Sequence, residues 1–272
     1  MPNWNSNKLV VKGEGKAVLD FIKENYLEEK IQEKVEEYDY VLDFEKFLPT
    51  PLKDDGSIID DWYDWRLENW GCKWSPLPEQ QNSLTIEYKD GKQEYYNSRY
   101  IGVAEGFELD EKNIDKLLDK SEDIKEVELE SYFETPWCPP YSIVSKWNEK
   151  YKNIDLKCKY YEPGCCFAGI IGFNKGNKWY DIYHEGWVDE DYTTFLLEEG
   201  WEETDWYEEL IRDLLDEMYP EDKEFVDKLY VKILEQLEST DDNREKAKLI
   251  TDIQNKYYEH QMEEDKKETK SE

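Results

Sequence analysis

From Asp60 to Trp74 the chain reads Asp-Asp-Trp-Tyr-Asp-Trp-Arg-Leu-Glu-Asn-Trp-Gly-Cys-Lys-Trp, four indoles in an acidic stretch that must find cover somewhere. On an ideal helix Trp62 and Trp65 fall about 60° apart, whereas Trp70 and Trp74 swing to the other side and Gly71 interrupts the run. A single amphipathic stripe is not expected from that spacing. Indoles are the largest apolar side chains, so the segment either docks as a loop onto the core or forms a binding surface. The docked loop is the preferred reading, with Trp65 and Trp70 as buried anchors. The binding surface would set Trp62, Trp65, Trp70 and Trp74, with the turn at Glu162, around a nucleotide or signalling molecule.

With 38% hydrophobic and 15% aromatic residues in 272, the chain can build a sizeable core. Its formal charge of −32 is extreme. Affinity for phosphate backbones comes from lysine and arginine displacing counterions, so direct nucleic-acid binding is not expected and a basic partner is. Five cysteines, with no signal-like apolar run after Met1, point to a reducing cytoplasm and free thiols. No apolar run approaches the roughly 20 residues that cross a bilayer, and no polybasic segment suits an anionic membrane.

Residues 8–12 alternate as a strand, and Val18, Leu19, Phe21 and Ile22 follow at helical spacing. Ile31 and Val35 extend that helix or open a second one, and Tyr40 to Leu48 is read as a strand closed by Pro49. Leu84 to Tyr96 reads as a hairpin turning at Asp90-Gly91, the pair favoured by a type I′ turn. Ile114, Leu117 and Leu118 mark a short helix, 127–132 a strand, and Ile143, Val144, Trp147 and Tyr151 a helix opened by Pro140. Strands at 154–160, 167–173 and 178–183 complete a meander, with a turn expected at 174–177. This order predicts an α+β fold: a ferredoxin-like antiparallel sheet with helices on one face and extra strands.

The last part of the chain changes character. From Glu185 acids outnumber bases nearly three to one, over three helices with apolar faces at 206–218, 225–237 and 247–257, the third capped by Asp241 or Asp242. The expected division is a ferredoxin-like domain at 1–188 with an insertion at about 76–126, an acidic helical region at 189–262, and a disordered tail at 263–272.

Five segments carry a family resemblance: Met1-Pro-Asn-Trp4 with Asn7-Lys-Leu-Val-Val11; Phe44-Glu-Lys-Phe-Leu-Pro49; Trp62 to Trp74; Thr135-Pro-Trp-Cys-Pro-Pro140; and Glu162-Pro-Gly-Cys165. In this order, along residues 1 to about 185, they resemble the YubB-like ferredoxin-fold proteins of phages and plasmids. The resemblance implies a ferredoxin-like domain in a mobile-element protein and no catalytic residue. The chain departs from the pattern at Asn5, where a cysteine is common, in the insertion, and in the acidic C-terminal region.

Candidate chemistry is sparse. Cysteines 72, 138, 158, 165 and 166 contain no C-x-x-C pair, and His184 and His260 are far apart, so neither zinc nor another cofactor is expected. Asp60, Asp61 and Asp64 lack the ligand order of a calcium loop. Cys165 or Cys166 with His184 as base is the enzymatic alternative, although a packed histidine and structural thiols account for the same residues. The helical acids Glu202, Glu203, Asp205, Glu208, Glu209, Asp213, Asp216 and Glu217 form the expected partner surface. They suit a non-catalytic, phage-type interaction protein in the host cytoplasm that blocks a basic, nucleic-acid-handling or defence protein by mimicking nucleic acid.

Overall fold

A computed structural model of the chain describes residues 3–32, 35–77, 80–97, 107–162, 164–165, 167–175, 178–185, 190–199, 206–220 and 222–268. The first strand, β1 (Trp4–Gly13), alternates strictly, burying Asn5, Asn7, Leu9, Val11 and Gly13 on one face. It feeds helix α1 (Gly15–Asn25), whose Val18, Leu19, Phe21 and Ile22 are all buried. A Cβ on Gly15 would lie 2.5 Å from Ile124 Cγ2, so glycine permits the close approach of helix to sheet.

Next come β2 (Tyr26–Gln32) and β3 (Val35–Leu42), an antiparallel pair forming its own sheet, then α2 (Phe44–Phe47) and α3 (Trp62–Trp70). Three expectations are corrected here. Ile31 and Val35 lie in strands, and only the first part of Tyr40–Leu48 is strand, because Asp43 caps a helical turn by accepting from Glu45 N. The tryptophan run is helix from Trp62 to Trp70, not a loop, and is stopped by Gly71 at φ +89, with Trp74 beyond it.

The region read as an insertion adds β4 (Gln81–Tyr88), β5 (Gln93–Asn97), β6 (Phe107–Glu108) and α4 (Glu111–Asp119). The hairpin is real, but its turn differs from type I′. Gly91 N donates to Tyr88 O at 3.0 Å and Tyr88 N to Lys92 O at 2.9 Å, and Gly91 has φ +88 while Asp90 keeps a negative φ. This is a three-residue loop with glycine in the left-handed position.

The chain continues as β7 (Ile124–Pro136), α5 (Tyr141–Lys150), β8 (Ile154–Glu162), β9 (Phe167–Asn174) and β10 (Lys178–Glu185). The main sheet has the order β10-β9-β8-β1-β7-β4-β5-β6. Its centre, β8-β1-β7-β4, is antiparallel throughout, each helix crossing over a strand inserted between the two it connects. That is the split βαβ arrangement of a ferredoxin-like domain. Helices α1 and α5 lie side by side: Phe21 meets Trp147 edge-on at 5.2 Å, and Trp147 Nε1 donates to Asn25 Oδ1 at 2.7 Å. Strand β4 pairs along its length with β7, so the region after 80 is built into the sheet.

The chain divides into two compact units, the second comprising Cys166–Ala168 and Tyr183–Glu272. The second unit contains α6 (Glu190–Glu199), α7 (Trp206–Met218), α8 (Lys223–Glu238) and α9 (Asn243–Glu268). Ile211, Leu215, Met218, Val226, Ile233, Leu237, Ile250 and Ile253 form a core of its own. Asp222 caps α8, and Asp242 accepts from Arg244 N at 2.8 Å at the start of α9. Helix α6 was not foreseen, and α9 continues through Glu268 where a disordered tail was expected from 263. Residues 269–272 lie outside the described residues, as does part of the expected turn at 174–177.

Candidate functional site

Segments far apart in sequence meet at one pole of the ferredoxin-like unit. In the sheet, Trp4 pairs with Pro136, Asn5 with Thr135, and Ser6 with Tyr161, so the start of β1 lies between the ends of β7 and β8. A Cβ on Gly71 would sit 2.7 Å from Tyr141 N and 3.2 Å from Pro139 O, which puts the end of α3 against the start of α5. Trp70 Nε1 donates to Leu48 O at 3.0 Å and brings in the segment after α2.

Buried polar groups hold this pole together. Asn7 Nδ2 donates to Asn5 O and Thr135 Oγ1, both at 2.9 Å, Asn5 Nδ2 donates to Asn7 Oδ1 at 2.8 Å, and Thr135 Oγ1 donates to Cys138 O at 2.8 Å. The chain then passes through Trp137 at φ +68, a left-handed conformation rare for a bulky residue, and leaves that indole exposed. Trp137 N donates to Asn3 O at 2.9 Å, while Asn3 Nδ2 lies 3.7 Å from Cys165 Sγ. The Glu162 carboxylate, 1% exposed, accepts from Gly164 N at 3.0 Å and from Cys165 N.

Partial burial pushes the Cys138 thiol up, although the residue as a whole is exposed, and nearby Cys165 and the Glu162 carboxylate push it the same way. A nucleophilic cysteine needs the opposite environment. Cys166 lies outside the described residues. His184 belongs to the second unit, its ring 5.0 Å from that of Phe195. Among the described residues no group of three or more His, Cys, Asp or Glu is placed to hold a metal ion.

The indoles are engaged by the chain's own cations. The Arg66 guanidinium carbon lies 5.1 Å from the Trp62 ring centre and 4.7 Å from that of Trp70, and Lys73 Nζ lies 4.2 Å from that of Trp74. Arg66 is anchored by Glu45 Oε1 at 2.6 Å from Nη2 and Thr50 Oγ1 at 2.9 Å from Nε. Trp70 is fully buried, packed edge-on against Phe44 at 6.0 Å; Trp62, Trp65 and Trp74 are half-buried. Of the two anchors expected, Trp70 is one, and Trp65, only half-buried, packs edge-on against it at 6.0 Å. Glu45, Thr50 and Arg66 were missed, although Glu45 sits in a quoted signature and Arg66 inside the tryptophan run.

Of the expected acidic surface, Asp213, Asp216 and Glu217 are exposed on α7 and Glu208 is half-buried. Glu202, Glu203 and Asp205 lie outside the described residues, as does the side chain of Glu209. Arg212 ties Asp216 at 3.0 Å to Asp227 at 2.8 Å, and Glu217 accepts from the Tyr257 hydroxyl. Helices α8 and α9 add exposed Glu235, Glu238, Asp252 and Glu259, which sequence reading did not single out.

The fold and its pole define a ferredoxin-like α+β protein. Residues 117–208, about a third of the chain, match the family model described as a ferredoxin-like domain in Api92-like protein. The match runs from the end of α4 into α7, and so includes Cys138 and Cys165. No curated protein and no solved structure matches the chain. Among the described residues no helix is long and apolar enough to cross a membrane.

Proposed function

We propose that the chain is a non-catalytic interaction protein, YubB-like and carried by a phage or plasmid, whose acidic helical unit binds a basic protein of the host cytoplasm. In this reading the helical carboxylates occupy a groove built for nucleic-acid phosphates and block a nucleic-acid-handling or defence factor. The observation that carries it is a helical unit with its own apolar core and exposed carboxylates on α7, α8 and α9. Because those helices are held together by apolar contacts, their charges form a fixed array that need not be ordered on binding.

Capture of partners from host lysate on the immobilised chain, with duplex DNA as competitor, tests the reading. A nucleic-acid-binding partner displaced by DNA, and lost with an Asp213→Asn/Asp216→Asn/Glu217→Gln variant, is the expected result. A partner indifferent to DNA and to that variant would contradict mimicry.

A further inference from the structure

Beside the core of the second unit, α7, α8 and α9 enclose a gap of about 220 Å³. Leu215, Met218, Leu229, Ile233, Leu249 and Ile253 wall it, and the remaining lining residues, Tyr219, Lys232, Gln236 and Lys256, are exposed and form its mouth. The volume equals about seven waters at roughly 30 Å³ each, yet the aliphatic walls offer water no hydrogen bonds. Left empty, the lining forfeits dispersion contacts that a close-packed helical core would make.

The mouth carries two cations. Among the described residues Lys223, Lys232, Lys246, Lys248 and Lys256 have no ion pair, and of these Lys232 and Lys256 line the gap. Two ammonium groups from neighbouring helices thus stand over an aliphatic gap in a chain carrying 67 acids against 35 bases. We propose that this gap binds a single-chain aliphatic carboxylate, with the chain among the leucines and isoleucines and the head group between Lys232 and Lys256. Aliphatic walls with a few convergent charged groups are the usual make-up of such sites. Exposed Glu235, Asp252 and Glu259 flank the two lysines on the same helices and disfavour a more highly charged head group.

The chain has three methionines, Met1, Met218 and Met262, and allows a direct test, because among the described residues Met218 is the one methionine lining the gap. In a ¹³C-methyl-methionine NMR titration, decanoate is expected to shift the Met218 signal saturably while leaving Met1 in place. Decanol, which keeps the chain but lacks the charge, should bind about tenfold more weakly, and a Lys232→Gln/Lys256→Gln variant should weaken decanoate by a similar factor. The variant alters two exposed side chains, and an unchanged circular dichroism spectrum would establish that its helices persist. Absence of a Met218 shift, equal binding of decanol, or undiminished decanoate binding by the folded variant would each overturn the proposal.

Discussion

The Arg66 guanidinium carbon lies 4.7 Å from the centre of the Trp70 ring, and that indole is fully buried, so a charged side chain closes the aromatic core from outside. The same guanidinium holds Glu45, which in turn accepts from Thr50 N at 2.6 Å and Thr50 Oγ1 at 2.7 Å. One cation thus joins α3 to α2 and to the segment that follows it. The cluster of tryptophans reads as a structural clamp, and the charge on the second unit becomes the better guide to function.

Removing the clamp should be costly. Arg66→Ala leaves Glu45 without its cation and uncovers two indoles, a loss of about 2–3 kcal/mol measured as a lower urea midpoint. Arg66→Lys keeps the charge but not the planar fork, and should recover no more than about half of it. An unchanged midpoint for Arg66→Ala would mean that the clamp contributes nothing to stability.

Two glycines separate backbone strain from crowding. Gly56 and Gly71 both have positive φ, +82 and +89, but a Cβ at Gly56 meets open space whereas one at Gly71 meets Tyr141 N at 2.7 Å. Gly56→Ala should therefore cost about 1 kcal/mol and Gly71→Ala about 3, compared by thermal or urea unfolding. Equal losses would contradict the close packing of α3 on α5.

Acid sensitivity should involve Glu94. Burial pushes its carboxyl up, but hydrogen bonds from Lys92, Tyr88 and Tyr96 outweigh this and hold it below its ordinary value of 4.5. A depressed folded pKa gives stability that is complete above the unfolded value and is lost as pH falls through the folded one. Glu94→Gln should accordingly flatten the loss of stability below about pH 4.5, the unfolded value, in urea titrations at stepped pH. A variant with the same acid limb as the parent would contradict this assignment.

Thiol accessibility follows the fold. Cys138 and Cys165 are exposed, while Cys72 and Cys158 are fully buried and their thiols are pushed up by that burial. An aromatic disulfide reagent, with the modified sites mapped by mass spectrometry, should label Cys138 and Cys165 in the native protein and Cys72 and Cys158 only after unfolding. Native labelling of Cys72 would mean that the end of α3 opens.

Where side chains alternate or recur on one face, the fold was legible in the sequence. Leu9 and Val11 on β1, Ile154 to Tyr160 on β8, and Ile143, Val144 and Trp147 on α5 all read correctly because burial on one face imposes the period. Strand β2 and the first part of β3 escaped because the sequence from Glu28 to Glu37 is crowded with charge, and the two strands pair outside the main sheet. Helix α3 escaped because its indoles are unequally buried: Trp70 packs onto Phe44 at full burial while Trp62 and Trp65 stay half-buried. Pairings such as Arg66 with Glu45 or Asn7 with Thr135 join residues distant in the chain, and no local spacing announces them.

The central claim, that the helical carboxylates recognise a basic partner, is tested most directly by the affinity of the captured complex between 50 and 200 mM salt. Binding through several charge pairs should weaken by at least about tenfold over that range, and less steeply for the Asp213→Asn/Asp216→Asn/Glu217→Gln variant. An affinity that stays constant as salt rises would contradict it.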